Sequence, residues 1–255
     1  MSVLQAIVMA LSCFSKIPMP QVEWNERNMR YLMAAFPLVG AIVGGCGWLW
    51  WMACDALGFL SLTRAAGLAL LPLAITGGIH MDGFADVVDA QSSHADPARK
   101  RQILKDPHVG AFAIMGICGY LIAYVALASE LDVRLMLVFV CAPIISRCLS
   151  AWAAVSWNAA GTSGMFATVH DAANRRTVCL VLALTFAITA GIMLWCDLVV
   201  GGSALVLSVL LFVWLKRFAA REFGGMSGDL LGFYVQVTEL AVLACVVVLG
   251  KAVLP

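Results

Sequence analysis

Seven mostly apolar stretches, roughly 32–54, 64–79, 110–129, 134–156, 177–196, 202–218 and 234–254, constrain this chain more than any other feature. About 20 apolar residues in a row carry a helix across hydrocarbon, where an unpaired backbone group has no water to turn to. Only 12% of residues are charged, against about 25% in soluble domains, and the mean hydropathy is +0.94. The expected fold is an all-α integral membrane protein, a polytopic bundle of about seven transmembrane helices. No polar segment is long enough for a second soluble core, so residues 1–255 are read as a single domain. The first fifteen residues are apolar but short and end at Lys16-Ile17-Pro18-Met19-Pro20. They either add a short N-terminal membrane helix or lie in the interface. Pro37, Pro72 and Pro143 fall inside the expected spans and predict kinks.

Basic residues alternate from one connection to the next. Lys16, Arg27 and Arg30, then Arg99, Lys100, Arg101 and Lys105, then Arg175 and Arg176, then Lys216, Arg217 and Arg221 all fall on one side. The opposite connections hold only Arg64 and Arg134. By the positive-inside rule the first set is cytoplasmic. His80, His94, His108, His170 and nearly every loop acid share that side, which suits an enzyme drawing on cytosolic substrates better than a transporter. The nine cysteines include no C-x-x-C pair and read as small core hydrophobes. The N-terminus lacks the basic region and cleavage site of a signal peptide, and neither a P-loop nor a G-x-G-x-x-G motif is present.

Against this apolar background the run Gly77-Gly78-Ile79-His80-Met81-Asp82-Gly83-Phe84-Ala85-Asp86-Val87-Val88-Asp89 stands out. At 3.6 residues per turn, Asp82, Asp86 and Asp89 share one arc of a helix. Helix dipoles favour an acid in the first turn, which accounts for one or two of them but not for three in a row. Three adjacent anions call for a cation, and oxygen-only donors suit a hard one, Mg²⁺ most readily. Gly77, Gly78 and Gly83 would let backbone approach a bulky anion such as a diphosphate. His80 would cap the turn, bond a phosphate oxygen or act as a base.

Other groups could serve the same surface. Lys105 and Asp106 precede the next span, either as substrate contacts or as an anchor and a helix cap. Arg147, inside an apolar stretch, needs an anionic partner or a wet cavity; it would clamp a phosphate, or pair with an intramembrane acid such as Glu239. Gly224-Gly225-Met226-Ser227-Gly228-Asp229, flanked by Lys216, Arg217 and Arg221 and followed by Glu239, reads as a second anion and metal site.

Thr76-Gly77-Gly78-Ile79-His80-Met81-Asp82-Gly83-Phe84-Ala85-Asp86-Val87-Val88-Asp89 resembles the signature of the cobalamin synthase family. Further matching pieces are Phe14 to Pro20, Phe36-Pro37-Leu38-Val39-Gly40, Ile103-Leu104-Lys105-Asp106 through Gly110, Ser146-Arg147, and Gly224 to Asp229 with Glu239. The chain departs from the pattern at Ala90, where glycine is expected. The resemblance implies a multi-pass enzyme of the cytoplasmic (inner) membrane of a prokaryote, with its active site facing the cytoplasm. It would use Mg²⁺ to join adenosylcobinamide-GDP to the 3′-hydroxyl of α-ribazole or its 5′-phosphate, releasing GMP. Asp82, Asp86 and Asp89 would hold the metal. Asp82, His80, Arg147 and Lys105 would serve the chemistry. Gly77, Gly78, Gly83, Asp106, Lys216, Arg221, Gly225, Asp229 and Glu239 would line the substrate. The implied partners are these substrates and the lipid bilayer, with no nucleic acid; a homo-oligomer and association with other late cobalamin-assembly enzymes stay open.

Three rival classes fit less well. The CDP-alcohol phosphotransferases carry D-G-x-x-A-R, where this chain has Asp86 and Val87 in place of the alanine and arginine. Aspartate-rich prenyltransferases want two acidic motifs. A secondary transporter could use Arg147 and Glu239 as an ion path, but the chain shows no internal repeat.

Overall fold

The computed structural model describes residues 3–161 and 165–253. A stretch of the 157–176 connection and the last position of the final expected span lie outside the described residues. Among the described residues twelve α-helices follow in order: α1 Val3–Phe14, α2 Glu26–Met29, α3 Phe36–Ala56, α4 Ser61–Thr76, α5 Ile79–Ser92, α6 Pro97–Ile103, α7 Ala111–Ser129, α8 Met136–Ser156, α9 Met165–Ala172, α10 Arg175–Cys196, α11 Leu198–Phe223 and α12 Gly228–Val253. Single 3₁₀ turns at Leu32–Ala34 and Val133–Leu135 lead into α3 and α8. No strand occurs among the described residues.

Local chemistry sets the boundaries. Asp197, Asn174 and Asp96 accept backbone N–H bonds at the starts of α11, α10 and α6, satisfying donors that a helix start leaves free. Pro97 follows Asp96 at the first helical position, where its missing N–H costs nothing. Pro37 likewise falls in the first turn of α3, so the kink expected there has no cause. Pro72 and Pro143 do lie inside helices, α4 and α8. Thr76 Oγ1 donates to the Pro72 carbonyl at 2.7 Å, and Ser146 Oγ to that of Pro143 at 3.2 Å.

Among the described residues six helical segments are long and apolar enough to cross a membrane: Leu32–Ala56, Ala111–Ser129, Val133–Ser156, Arg175–Cys196, Leu198–Phe223 and Gly228–Val253. A seventh apolar segment is the pair α4 and α5, bent by 98° between them. The chain is a multi-span all-α membrane protein, as its apolar stretches predict. α8 and α12 form the spine, most of their surface covered by neighbours, while α7, α10 and α11 remain largely open. Their uncovered side chains are apolar, among them Ile114, Ile122, Leu184, Ile188 and Leu210, the pattern of a lipid-facing surface. α5 turns out of the direction of α4 and packs beside the first halves of α7 and α12, with Phe84 against Tyr120 and Phe233 and the Asp89 end beside Gly110. That placement puts its acids at the end of the bundle.

Candidate active site

Two consecutive glycines make the turn. Gly77 (φ 67°) and Gly78 (φ 79°) both take the left-handed conformation, which a side chain would strain. The helix restarts at Ile79, and Asp82 N–H closes its first turn on the Gly78 carbonyl at 2.8 Å. Asp82, Asp86 and Asp89 therefore do lie along one helical stripe of α5, with Asp82 exposed and the other two half-buried. The opposite face, including His80, Gly83, Val87 and Ala90, is buried. Ala90 sits within continuous helix, so no turn there requires glycine.

Two glycines also decide what α5 packs against. A Cβ at Gly83 would lie 2.8 Å from the Asp229 carbonyl oxygen and 2.9 Å from its Cα. One at Gly232 would lie 3.1 Å from the His80 carbonyl oxygen. These contacts let α5 and α12 cross almost backbone to backbone, which brings Asp229 beside the aspartate stripe. Gly83 is thus taken up by the helix crossing rather than left for an anion. Gly77 is covered by the stem of Lys16, and only Gly78 faces open space. Gly225 (φ 154°) lies against the backbone of Ala159 and Ala160, where the Ala160 amide donates to the Met226 carbonyl at 2.8 Å.

The acids feel one another. Burial, followed by the charges of Asp82, Asp229 and Asp89, pushes the Asp86 carboxyl up to about 6. Asp229 therefore belongs to the same cluster as the α5 acids instead of forming a separate second site. Ser227 Oγ lies 3.4 Å from Asp229 Oδ2. The Asp89 carboxylate rests against Gly110 at the start of α7, where a helix N-terminus favours a negative charge. Among the described residues, no three His, Cys, Asp or Glu side chains stand close enough together to cage a metal ion unaided. Mg²⁺ seldom needs such a cage, since it is held by one or two carboxylates together with substrate phosphates and water. An all-oxygen, mutually repelling set of this kind fits that mode.

Beneath the acids the side chains are buried. Arg147 is 0% exposed, and its Nη1 donates to Glu239 Oε1 at 2.6 Å and to the Pro143 carbonyl at 3.1 Å. Ser146 Oγ adds a 3.0 Å bond to the same carboxylate oxygen. Of the two readings of Arg147, the structure shows the buried pair with Glu239, so its fork is not presented to the open face. His80 is 4% exposed, with ring centroids 6.4 Å from Phe14 and 5.5 Å from Phe36. Burial, then the Arg147 charge, holds its imidazole well below the ordinary range. Neither ring nitrogen has a hydrogen-bond partner among the described residues, nor does Arg147 Nε.

The remaining expected residues surround this centre more loosely. Lys105 and Arg221 are exposed. Asp106 closes its own turn, accepting from the His108 amide at 3.0 Å and lying 2.7 Å from His108 Nδ1, while Gly110 takes the cap position of α7. Lys216 Nζ lies 5.8 Å from the centre of the Trp157 ring. One contributor has no signature in the sequence: Lys100, 4% exposed, donates to Glu222 Oε2 at 2.5 Å and to Gln91 Oε1 at 2.9 Å. Next to it, Arg101 Nη1 donates to the Phe223 carbonyl at 2.8 Å. Together they tie α6 to the end of α11 and to α5. As residues of a basic loop, both had looked like simple topology markers.

Comparison with known proteins places this arrangement. A family model described as CobS, cobalamin-5-phosphate synthase, matches residues 6–247. A protein of Lachnoclostridium phytofermentans named adenosylcobinamide-GDP ribazoletransferase is 37% identical over 248 residues, 97% of this chain and 95% of its own. Proteins of the same name from Geobacillus thermodenitrificans and Geobacillus kaustophilus are 32% and 30% identical, over 91% and 97% of both chains respectively. No solved structure matches. The family match runs through every element that builds the site, from α1 to α12, and the chain belongs to the cobalamin-5-phosphate synthase family.

Proposed function

We propose that the chain is an adenosylcobinamide-GDP ribazoletransferase, working at the aspartate face of α5 from the cytoplasmic side of a prokaryotic inner membrane. The observation that carries this reading is the stripe of Asp82, Asp86 and Asp89 along α5 with Asp229 brought beside it at the Gly83 crossing, in a chain whose relatives bear that name. The 3′-oxygen of α-ribazole, or of its 5′-phosphate, attacks the phosphorus attached to the cobinamide arm. The new O–P bond forms as the bond to GMP breaks, and the 3′-hydroxyl proton passes to a carboxylate of the set.

One or two carboxylates of the set Asp82, Asp86, Asp89 and Asp229, together with the substrate's diphosphate, would hold Mg²⁺, which would supply charge neutralisation on the phosphate oxygens. The protein's share is mostly positioning and electrostatics, as befits phosphoryl transfer. α5 presents its acids at a fixed helical spacing, and the Gly83–Gly232 crossing sets their distance from Asp229. The Arg147–Glu239 pair fastens α8 to α12 beneath them. His80, buried with its neutral ring against Phe14 and Phe36, fixes the phase of α5. Lys105 and Arg221, exposed and basic, complete the anion-attracting rim.

The test is GMP release by purified protein given adenosylcobinamide-GDP, α-ribazole 5′-phosphate and Mg²⁺, with Asp82→Asn alongside. Release that requires all three components and is lost in the variant supports the reading. Full release by Asp82→Asn would remove the carboxylates from the chemistry, and no release by folded parent protein would sink the assignment.

A further inference from the structure

Among the described residues, Lys16 is the cation that the structure pins to the turn from which α5 departs. Its backbone amide donates to the Ile75 carbonyl at 2.7 Å, in the last turn of α4. Its aliphatic stem lies over Gly77, where a Cβ would fall 2.8 Å from Lys16 Cγ and 3.0 Å from Cδ. Two residues earlier, Phe14 packs on Phe36 and faces the His80 ring of α5. Ser15 Oγ donates to the Leu11 carbonyl at 2.6 Å and accepts the Ile17 amide at 3.3 Å, fixing the backbone on either side. A flexible loop lysine that served only as a topology marker would need none of these contacts.

The ammonium they position is exposed and has no carboxylate partner among the described residues. It contrasts in this with the other cations at this end of the bundle. Lys100 is spent on Glu222 and Gln91, Arg101 on the Phe223 carbonyl, Arg147 on Glu239, and Lys216 lies over Trp157. Lys105, Arg217 and Arg221 are basic, but no contact fixes any of them to the α4–α5 turn. A diphosphate diester brings two further negative charges to a face that already holds four acids. Such a ligand needs a cation at the α5 end, and an ammonium with three free donors serves as a phosphate point charge.

We infer that Lys16 is a substrate-contacting residue that binds an oxygen of the substrate's diphosphate beside Gly78, its stem seated in the space Gly77 leaves. This inference rests on the proposed transferase reading for the identity of the ligand, and its test separates the two. Binding of inorganic diphosphate in the presence of Mg²⁺ is measured by calorimetry for the parent, Lys16→Met and Lys16→Arg, together with GMP release from adenosylcobinamide-GDP. A charge-assisted phosphate contact predicts that Lys16→Met weakens diphosphate binding and lowers kcat/KM by roughly ten- to a hundredfold, chiefly through KM. Lys16→Arg should recover most of both, and all three proteins should melt alike, which a merely structural role would not produce. Diphosphate binding by Lys16→Met within about twofold of the parent would overturn the inference and leave the transferase reading standing. A parent that binds diphosphate through Lys16 but releases no GMP would keep the cation and overturn the transferase. A parent that does not bind diphosphate at all would overturn the role given to Lys16.

Discussion

Replacing Asp86 by asparagine should stabilise the metal-free protein while abolishing its activity. The carboxyl is pushed from an ordinary 3.8 up to about 6 by burial and by Asp82, Asp229 and Asp89. Folded Asp86 therefore keeps its proton to higher pH than the unfolded chain does. Between about pH 4 and 6 the native state binds more protons, so stability falls as pH rises through that window and is level above it. At 1.36 kcal/mol per pKa unit the full difference is roughly 3 kcal/mol. Asp86 is only half-buried, so solvent screening reduces this to about 1–2 kcal/mol. Asparagine has nearly the same shape and no charge. Without divalent metal at pH 7.5, Asp86→Asn should melt about 2–6 °C above the parent and lose the parent's decline between pH 4 and 6. Adding Mg²⁺ should reverse the order, because binding to the native state stabilises only a protein that retains the site. GMP release should drop by about a hundredfold or more. The assay is a pair of thermal melts in detergent across pH, with and without Mg²⁺. A variant no more stable than the parent without metal, or one stabilised by Mg²⁺ equally well, would refute the claim that these acids repel one another around a cation site.

Three other substitutions probe the supporting structure. Gly83→Ala puts a methyl 2.8 Å from the Asp229 carbonyl, against backbone that has nowhere to go; it should cost about 1–3 kcal/mol and at least about tenfold in GMP release, and parental activity would show that the α5–α12 crossing is not what positions Asp229. Glu239→Leu strands buried Arg147 and should cost about 3–5 kcal/mol, whereas Arg147→Met with Glu239→Leu should recover much of the loss; a double variant that melts below both singles would contradict the pairing. Lys100→Met leaves Glu222 without its cation and loosens α6, so trypsin should cut after Arg101 several-fold faster than in the parent, and an unchanged rate would discount the clamp.

The spans and the phase of the acidic helix were legible for the same reason: each follows from a local rule. Hydrocarbon demands long apolar runs, and α-helical geometry puts Asp82, Asp86 and Asp89 on one stripe whatever surrounds them. The cost of a bare intramembrane charge likewise made a partner for Arg147 necessary, with Glu239 among the options. What could not be read was register between distant elements. Asp229 joins the α5 acids because Gly83 and Gly232 let two helices touch, and nothing in either segment alone announces that fit. Lys100 and Glu222 are 122 residues apart. Pro37 misled because an expected span beginning at 32 placed it inside a helix, while the structure puts it in the first turn of α3. Gly83 misled in a related way, since a glycine beside acids reads equally well as room for an anion or for another backbone.

The two faces of α5 explain each other. Its outer face gathers like charges that destabilise the metal-free protein, which a folded chain tolerates only where the surrounding structure fixes the arrangement. Its inner face provides that fixing, through a backbone-close crossing with α12, the His80 ring held against Phe14 and Phe36, and the Arg147–Glu239 pair beneath. A looser inner face would let the acids drift apart and relieve their repulsion, and with it the tendency to take up a cation. Substitutions that soften this buried packing should therefore lower metal affinity before they lower stability, since spreading four carboxylates needs a smaller displacement than unpacking α5.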